Sequence, residues 1–188
     1  MKSEIRSWAH KGGVKLLRTV GLKKAQVVVD FGCGNGNYTV SASRVVGRKG
    51  KVYAIDKNKD VLDELKKRLK EEEIPNVELI NEKTKIPLDE NSVDVVLCYD
   101  VIHLVGKNDS SIEKDRKDLY GSIMRIIKRN ALVSFYPTHL DTHTEVTSKE
   151  AIRKEIEQTG FKFEKEIYTE LIHDDNKVKG YIVNFRRR

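Results

Sequence analysis

Val27-Val28-Val29-Asp30-Phe31 runs directly into Gly32-Cys33-Gly34-Asn35-Gly36, and a second apolar run, Lys51-Val52-Tyr53-Ala54-Ile55, ends on Asp56. Short apolar runs of this kind read as strands buried on both faces, the habit of a parallel sheet. Between them, Tyr38 to Val46 has the length of a crossover helix, and Gly47 is a suitable left-handed stop. The opening is therefore strand, glycine turn, helix, strand. Working outward, Val61, Leu62, Leu65 and Leu69 share one helical face, with Lys, Arg and Glu on the other. Val77–Ile80 and Val93–Tyr99 give a third and a fourth strand, joined by the loop from Asn81 to Ser92 with Pro87 inside it. A helix around Leu119, Ile123, Ile126 and Ile127 leads to the strand Ala131–Tyr136, stopped by Pro137. Thr147 and Glu150 have the spacing of a capping box, and Gly160 follows the helix they would open. Phe161–Phe163 with Ile167-Tyr168, and then Tyr181–Phe185, flank the polar turn Asp174–Lys177 as an antiparallel hairpin. Alternating strands and helices predict an α/β fold with a parallel sheet and right-handed crossovers, the hairpin closing one edge.

The 188 residues suit a single domain, with Met1 to Gln26 reading as one or two helical turns, best at Val14–Val20, ahead of the first strand. Lys and Arg number 36 against 29 Asp and Glu, a formal +7, with 35% of residues charged. No apolar stretch approaches the roughly 20 residues of a membrane helix, and the start lacks the apolar block of a signal peptide. A soluble, cytoplasmic protein is expected. Two cysteines, Cys33 and Cys98, are too few for a disulfide framework or a four-thiolate zinc site. Basic residues are spread along helices that also carry acids, as solvated faces are, although Arg186-Arg187-Arg188 keeps a nucleic-acid partner in view.

Ligands of open parallel sheets collect at the carboxyl ends of the strands where the order reverses, which places the glycine turn at the site. Glycine at alternate positions lets the backbone take positive φ and approach a ligand closely. A dinucleotide fingerprint needs its third glycine at position 37, which is Asn37; here that glycine comes one residue early. The turn therefore suits a ligand without a pyrophosphate and disfavours an NAD-dependent oxidoreductase. Asp56 lies where an acid can accept both hydroxyls of a ribose; its other reading is a turn residue, a task Asn58 can perform as helix cap. Asp30 either faces a ligand ammonium or accepts N–H groups of the turn.

With these residues in order, followed by Glu82 to Pro87 and Val93-Asp94-Val95-Val96, the chain resembles the class I S-adenosylmethionine-dependent methyltransferases, and within them the small group called type 11. The resemblance implies a three-layer, Rossmann-like, seven-stranded sheet of order 3-2-1-4-5-7-6 with strand 7 antiparallel. It implies that S-adenosylmethionine sits on a turn holding Asp30 and Cys33, with Gly32, Gly34 and Gly36 passing beneath its methionine part. Asp56 would take the ribose, the stem of Lys57 one adenine face, Glu82 the adenine amino group, the backbone of Lys83 the ring, and the Tyr99 carbonyl the ammonium. Lys83 departs from the usual small residue.

Methyl transfer needs alignment above all, and a base only where the acceptor must lose a proton. The polar residues past strands four and five are Asp100, His103, Tyr136 and His139, with Asp100 and His103 as the catalytic candidates; histidine as a type titrates near neutrality. His139, Asp141 and His143 alternate as metal ligands would, but read as a polar loop, and no metal is expected. Two cysteines do not make the three-cysteine site of arsenic-methylating relatives. Strand four ends in Cys98-Tyr99-Asp100-Val101, without the Pro-Pro-aromatic signature of enzymes that methylate base amines. The expected acceptor is a small molecule, beneath a cover formed by Trp8, His10, Gly12 and Gly13. An RNA methyltransferase and a non-catalytic nucleic-acid-binding protein of the same fold are the alternatives.

Overall fold

Val28, Val29, Asp30 and Phe31 are all buried, because β1 (Val27–Phe31) runs up the middle of the sheet with helices over both faces. The computed structural model describes residues 2–105, 112–137 and 149–188. Two helices, α1 (Lys2–His10) and α2 (Gly12–Val20), precede β1, so this segment is more helical than its sequence predicts. There follow α3 (Asn37–Val46), β2 (Lys51–Asp56), α4 (Lys59–Glu71), β3 (Val77–Asn81), β4 (Val93–Tyr99) and α5 (Ile112–Ile126). The chain ends with β5 (Ile127–Tyr136), α6 (Lys149–Gln158), β6 (Phe161–His173) and β7 (Asn176–Arg187). Ile127, expected on a helix, instead opens β5; its backbone turns through Asn130 at φ +61, where β5 slips register against β4. The expected helix start and stop hold: Asn58 caps the N-terminus of α4 by accepting the Asp60 N–H, and Gly47 at φ +67 ends α3.

The seven strands take the order β3-β2-β1-β4-β5-β7-β6, as expected. β3, β2, β1, β4 and β5 are mutually parallel, and β7 runs antiparallel to both β5 and β6. Alternate residues feed two cores. Val28, Val52 and Leu97 pack beneath α1 to α4, while Val29, Val96 and Cys98 pack beneath α5 and α6. Cys33 belongs to the first core and Cys98 to the second; both are free thiols.

β5 pairs β7 only from Leu132 to Phe135, whereas β6 pairs β7 from Phe161 to His173. The outer half of that hairpin therefore leaves the sheet as a two-stranded ribbon. Leu171, Ile172 and Ile182 on it are buried in the core beneath α1 to α4, which docks the tip against the carboxyl ends of the central strands.

Candidate functional site

The glycine turn is closed by its own backbone. Gly32 and Cys33 donate their N–H groups to the Ile55 carbonyl at 2.8 and 3.0 Å, and Gly36 donates to Cys33 at 2.9 Å. Gly34 donates to Asp56 Oδ2 at 3.0 Å. Gly32, Gly34 and Gly36 adopt φ of +73, +49 and +78, the left-handed region that favours glycine. A Cβ at Gly32 would lie 2.4 Å from Val101 and one at Gly36 2.2 Å from Leu65, whereas one at Gly34 would meet nothing within 4 Å. Two of the three glycines thus admit close packing, and the third leaves space for something else. Arg68, buried behind the turn, holds it through Nη1 bonds to the Asn35 carbonyl and Asn37 Oδ1, both 2.9 Å.

Gly34 opens on a cavity of about 370 Å³ at the carboxyl ends of β1, β2 and β4, where the strand order reverses. Gly32, Cys33, Asp56, Lys57, Glu82, Lys83, Tyr99 and Asp100, all singled out from sequence, line it. Asp30 and Gly36 do not. Asp30 is 2% exposed and accepts the Thr39 hydroxyl at 2.5 Å; the turn's N–H groups, expected to bond it, go to Ile55, Cys33 and Asp56 instead. Burial pushes the Asp30 carboxyl up to about 6, the Thr39 bond opposing and Asp56 adding to the shift. Burial likewise raises the Cys33 thiol and keeps it protonated.

Asp56 takes the turn role that was its other reading, and it also lines the cavity. Its Oδ1 accepts the Asn58 N–H at 2.9 Å and its Oδ2 the Gly34 N–H, yet the side chain still faces the cavity with further lone pairs. Tyr99 gives its ring to the core, its hydroxyl 2.9 Å from Ser134, which donates to Asn184. Tyr136 is buried on β5, and its carbonyl accepts the Asp100 N–H at 3.1 Å. The backbone of His103 lies in a short 3-10 turn, Ile102–Leu104, but its side chain is outside the described residues, as are His139, Asp141, His143 and Thr147. Trp8, His10, Gly12 and Gly13 do not line the cavity. Their helices lie on α3: a Cβ at Gly13 would sit 2.1 Å from Ser41 Oγ, and Ser41 donates to the Ala9 carbonyl.

What reaches over the cavity is the tip of the β6–β7 hairpin, with Ile172, His173, Asp174 and Asp175 among the lining residues. Tyr38 fixes it from both sides, donating its hydroxyl to the Ile172 carbonyl and accepting the Ile172 N–H, each at 3.0 Å. His173 Nδ1 is hydrogen-bonded to Asp100 Oδ2, and His173 Nε2 lies 3.4 Å from Asp174 Oδ2. His173 and Tyr38 escaped the sequence reading. The available signal was Leu171-Ile172, an apolar pair next to a turn that a solvated hairpin would keep polar. Asp56, Glu82, Asp100, Asp174 and Asp175 face Lys57 and Lys83 around the cavity, so an acidic site is set in a chain of net charge +7.

A family model described as "Methyltransferase domain" matches residues 22–177. Among curated proteins, a probable cobalt-precorrin-6B C(15)-methyltransferase (decarboxylating) of Sulfurisphaera tokodaii is 37% identical over 87 residues, 43% of this chain and 45% of that protein. A demethylmenaquinone methyltransferase of a Geobacillus species is 30% identical over 81 residues, 43% of this chain and 35% of that protein. The aligned part spans less than half of either relative. A solved structure described as a SAM dependent methyltransferase from Aquifex aeolicus superposes with a TM-score of 0.77 at 23% identity, covering 99% of this chain and 98% of that one.

Proposed function

The chain belongs to the methyltransferase-domain family, and from that premise we propose that it transfers a methyl group from S-adenosylmethionine to a small-molecule acceptor. The observation that carries this reading is how the turn spends its donors. The N–H groups of Gly32, Cys33, Gly34 and Gly36 are all bonded within the protein, which leaves them unable to cradle a pyrophosphate. The cavity beside them is acidic, which suits a ligand that is cationic at sulfur and at an amino group.

When bound, S-adenosylmethionine supplies an electrophilic methyl group on a sulfonium, and its thioether leaves neutral. Asp56 would accept the ribose hydroxyls on the lone pairs that Gly34 and Asn58 leave over. The missing side chain of Gly34 would admit the methionine part, the Tyr99 carbonyl its ammonium, and Glu82 the adenine amino group, with the Lys57 stem and Lys83 backbone beside the ring. The chain's main task is then to align the acceptor and exclude water, for which the docked hairpin tip provides a wall.

A small acceptor is favoured by the names of the relatives, a precorrin and a demethylmenaquinone enzyme, and by the state of the terminal arginines. Arg186 donates to Glu164 Oε1 and the Asn130 carbonyl, and Arg187 to Asn91 Oδ1, so both are structural ties that an RNA would have to break. No described helix is long and apolar enough to cross a membrane; a cytoplasmic setting rests on the two unpaired cysteines. Titration calorimetry tests the reading: S-adenosylmethionine and S-adenosylhomocysteine should bind and NAD should not. Binding of NAD alone would reject it.

A further inference from the structure

We propose that His173, held by Asp100, is the base that takes a proton from the methyl acceptor, and that the acceptor therefore attacks through an oxygen or nitrogen that carries a hydrogen. The proposal rests on the methyltransferase reading above and adds to it a catalytic residue and a substrate class.

Asp100 follows the last residue of β4, and His173 is the last residue of β6. The two meet because each is fixed by a separate set of bonds. Asp100 takes φ +55, a conformation Asp tolerates better than most residues, and donates its N–H to the Tyr136 carbonyl. His173 is placed by its neighbour Ile172, whose N–H and carbonyl are both bonded to the Tyr38 hydroxyl. The base role requires the tautomer in which His173 Nδ1 donates to Asp100 Oδ2, as a carboxylate that only accepts would select, leaving the lone pair on Nε2. Once Nε2 gains a proton, Asp174 Oδ2 at 3.4 Å pairs with it; that carboxylate, 79% exposed, is free to swing aside for an acceptor.

His173 and Asp100 line the same cavity as Gly34 and Asp56. Leu104, 43% exposed, and Val101 give that end of the cavity an apolar edge, a fit for the apolar body of a small hydroxyl-bearing molecule. The step balances as follows. The acceptor's O–H or N–H bond breaks and its proton moves to Nε2. The electron pair left behind forms the new bond to the methyl carbon. The carbon–sulfur bond breaks with its pair staying on sulfur, which becomes a neutral thioether. A histidine–carboxylate pair has no such task if the acceptor is already a deprotonated thiolate or a free amine lone pair.

The test starts with calorimetry, which measures S-adenosylhomocysteine binding by the wild type and by His173→Gln. Failure of the wild type to bind rejects the underlying methyltransferase reading. Binding lost only in the variant rejects the base and makes His173 a cofactor ligand; binding within about threefold supports the proposal. Nitrogen NMR of the wild type labelled in its imidazole rings, with S-adenosylhomocysteine bound and His173 assigned by its absence from the variant, then reads the ring. The expected result is a protonated Nδ1 and a lone-pair Nε2 on neutral His173; the opposite tautomer overturns the proposal. The same signals report a competing use of Asp100, His173 and Asp174, whose ligand atoms lie within 4.8 Å of one another. Broadening of His173 by stoichiometric Mn²⁺ would make the trio cation ligands and overturn the base. Finally, label passed from S-adenosylmethionine with a tritiated methyl group into a small-molecule cell extract should fall about 100-fold or more in His173→Gln. Equal labelling by the two proteins overturns the assignment while leaving the methyltransferase reading intact.

Discussion

Asp30 and Asp56 stand near the ends of adjacent strands and do opposite work. Asp30 is buried under the turn, and its carboxyl titrates near 6 because burial disfavours the charge. A carboxyl raised in the folded state takes up a proton on folding between about pH 4 and 6. Its stabilising contribution is therefore complete below about pH 4 and lost as pH rises through about 6, a loss of about 3 kcal/mol by linkage. Asp30→Asn should abolish that slope, and urea unfolding across the interval should show it more stable than the wild type near neutrality. Asp56→Ala should weaken S-adenosylmethionine binding by about 2 to 4 kcal/mol as two charge-assisted bonds are lost. The same change should cost about 1 kcal/mol of stability, because Gly34 and Asn58 lose an acceptor; calorimetry and thermal unfolding separate the two effects. The position of Asp56 was legible in sequence, since strand, glycine turn and acid stand in a fixed local order. Its second task as anchor of Gly34 was not, because that bond depends on how β2 sets beside the turn.

At the level of elements, the first four strands were readable because each is a short apolar run with its own punctuation, while the seven-strand order came from the resemblance to the class I methyltransferases. Harder to read was the ribbon formed by β6 and β7. Lys162, Glu164, Lys165, Glu166 and Glu170 are exposed, so β6 has the charge pattern of a solvated edge strand, and its docked end shows only in Leu171-Ile172. The contact between His173 and Asp100 joins two strand ends that no local pattern connects. Tyr38, on α3, decides where the ribbon stops. Tyr38→Phe removes the partner of the Ile172 N–H and carbonyl together and should cost about 1 to 3 kcal/mol. Hydrogen exchange should quicken at Ile172 and His173 while the centre of β1 stays protected. Unchanged exchange at the tip would mean that the apolar contacts of Leu171 and Ile172 suffice to hold it.

Over the whole molecule the charge is divided, basic on the outside and acidic around the cavity. If the surplus lysines and arginines are only solvated surface, cofactor affinity should change little between about 50 and 200 mM salt, and structured RNA should not bind with the steep salt dependence of phosphate neutralisation. Removing Arg186 and Arg187 is a poor probe of RNA binding, since both tie β7 to its neighbours; charge reversal of exposed lysines on α4 avoids that confusion. One packing detail of the N-terminal helices has an optical meaning. Trp8 is the single tryptophan of the chain, 5% exposed, its ring edge-on to Tyr38 at 5.5 Å, and Tyr38 in turn meets Tyr99 at 4.8 Å. Excitation absorbed by Tyr38 thus has a single indole emitter 5.5 Å away, with Tyr99 next in the chain of rings; Tyr38 holds the hairpin tip, and both tyrosines line the cavity. The molecule carries its own fluorophore at the far end of an aromatic relay, and the colour and intensity of its emission can follow the filling of the site and the release of the ribbon without any attached dye.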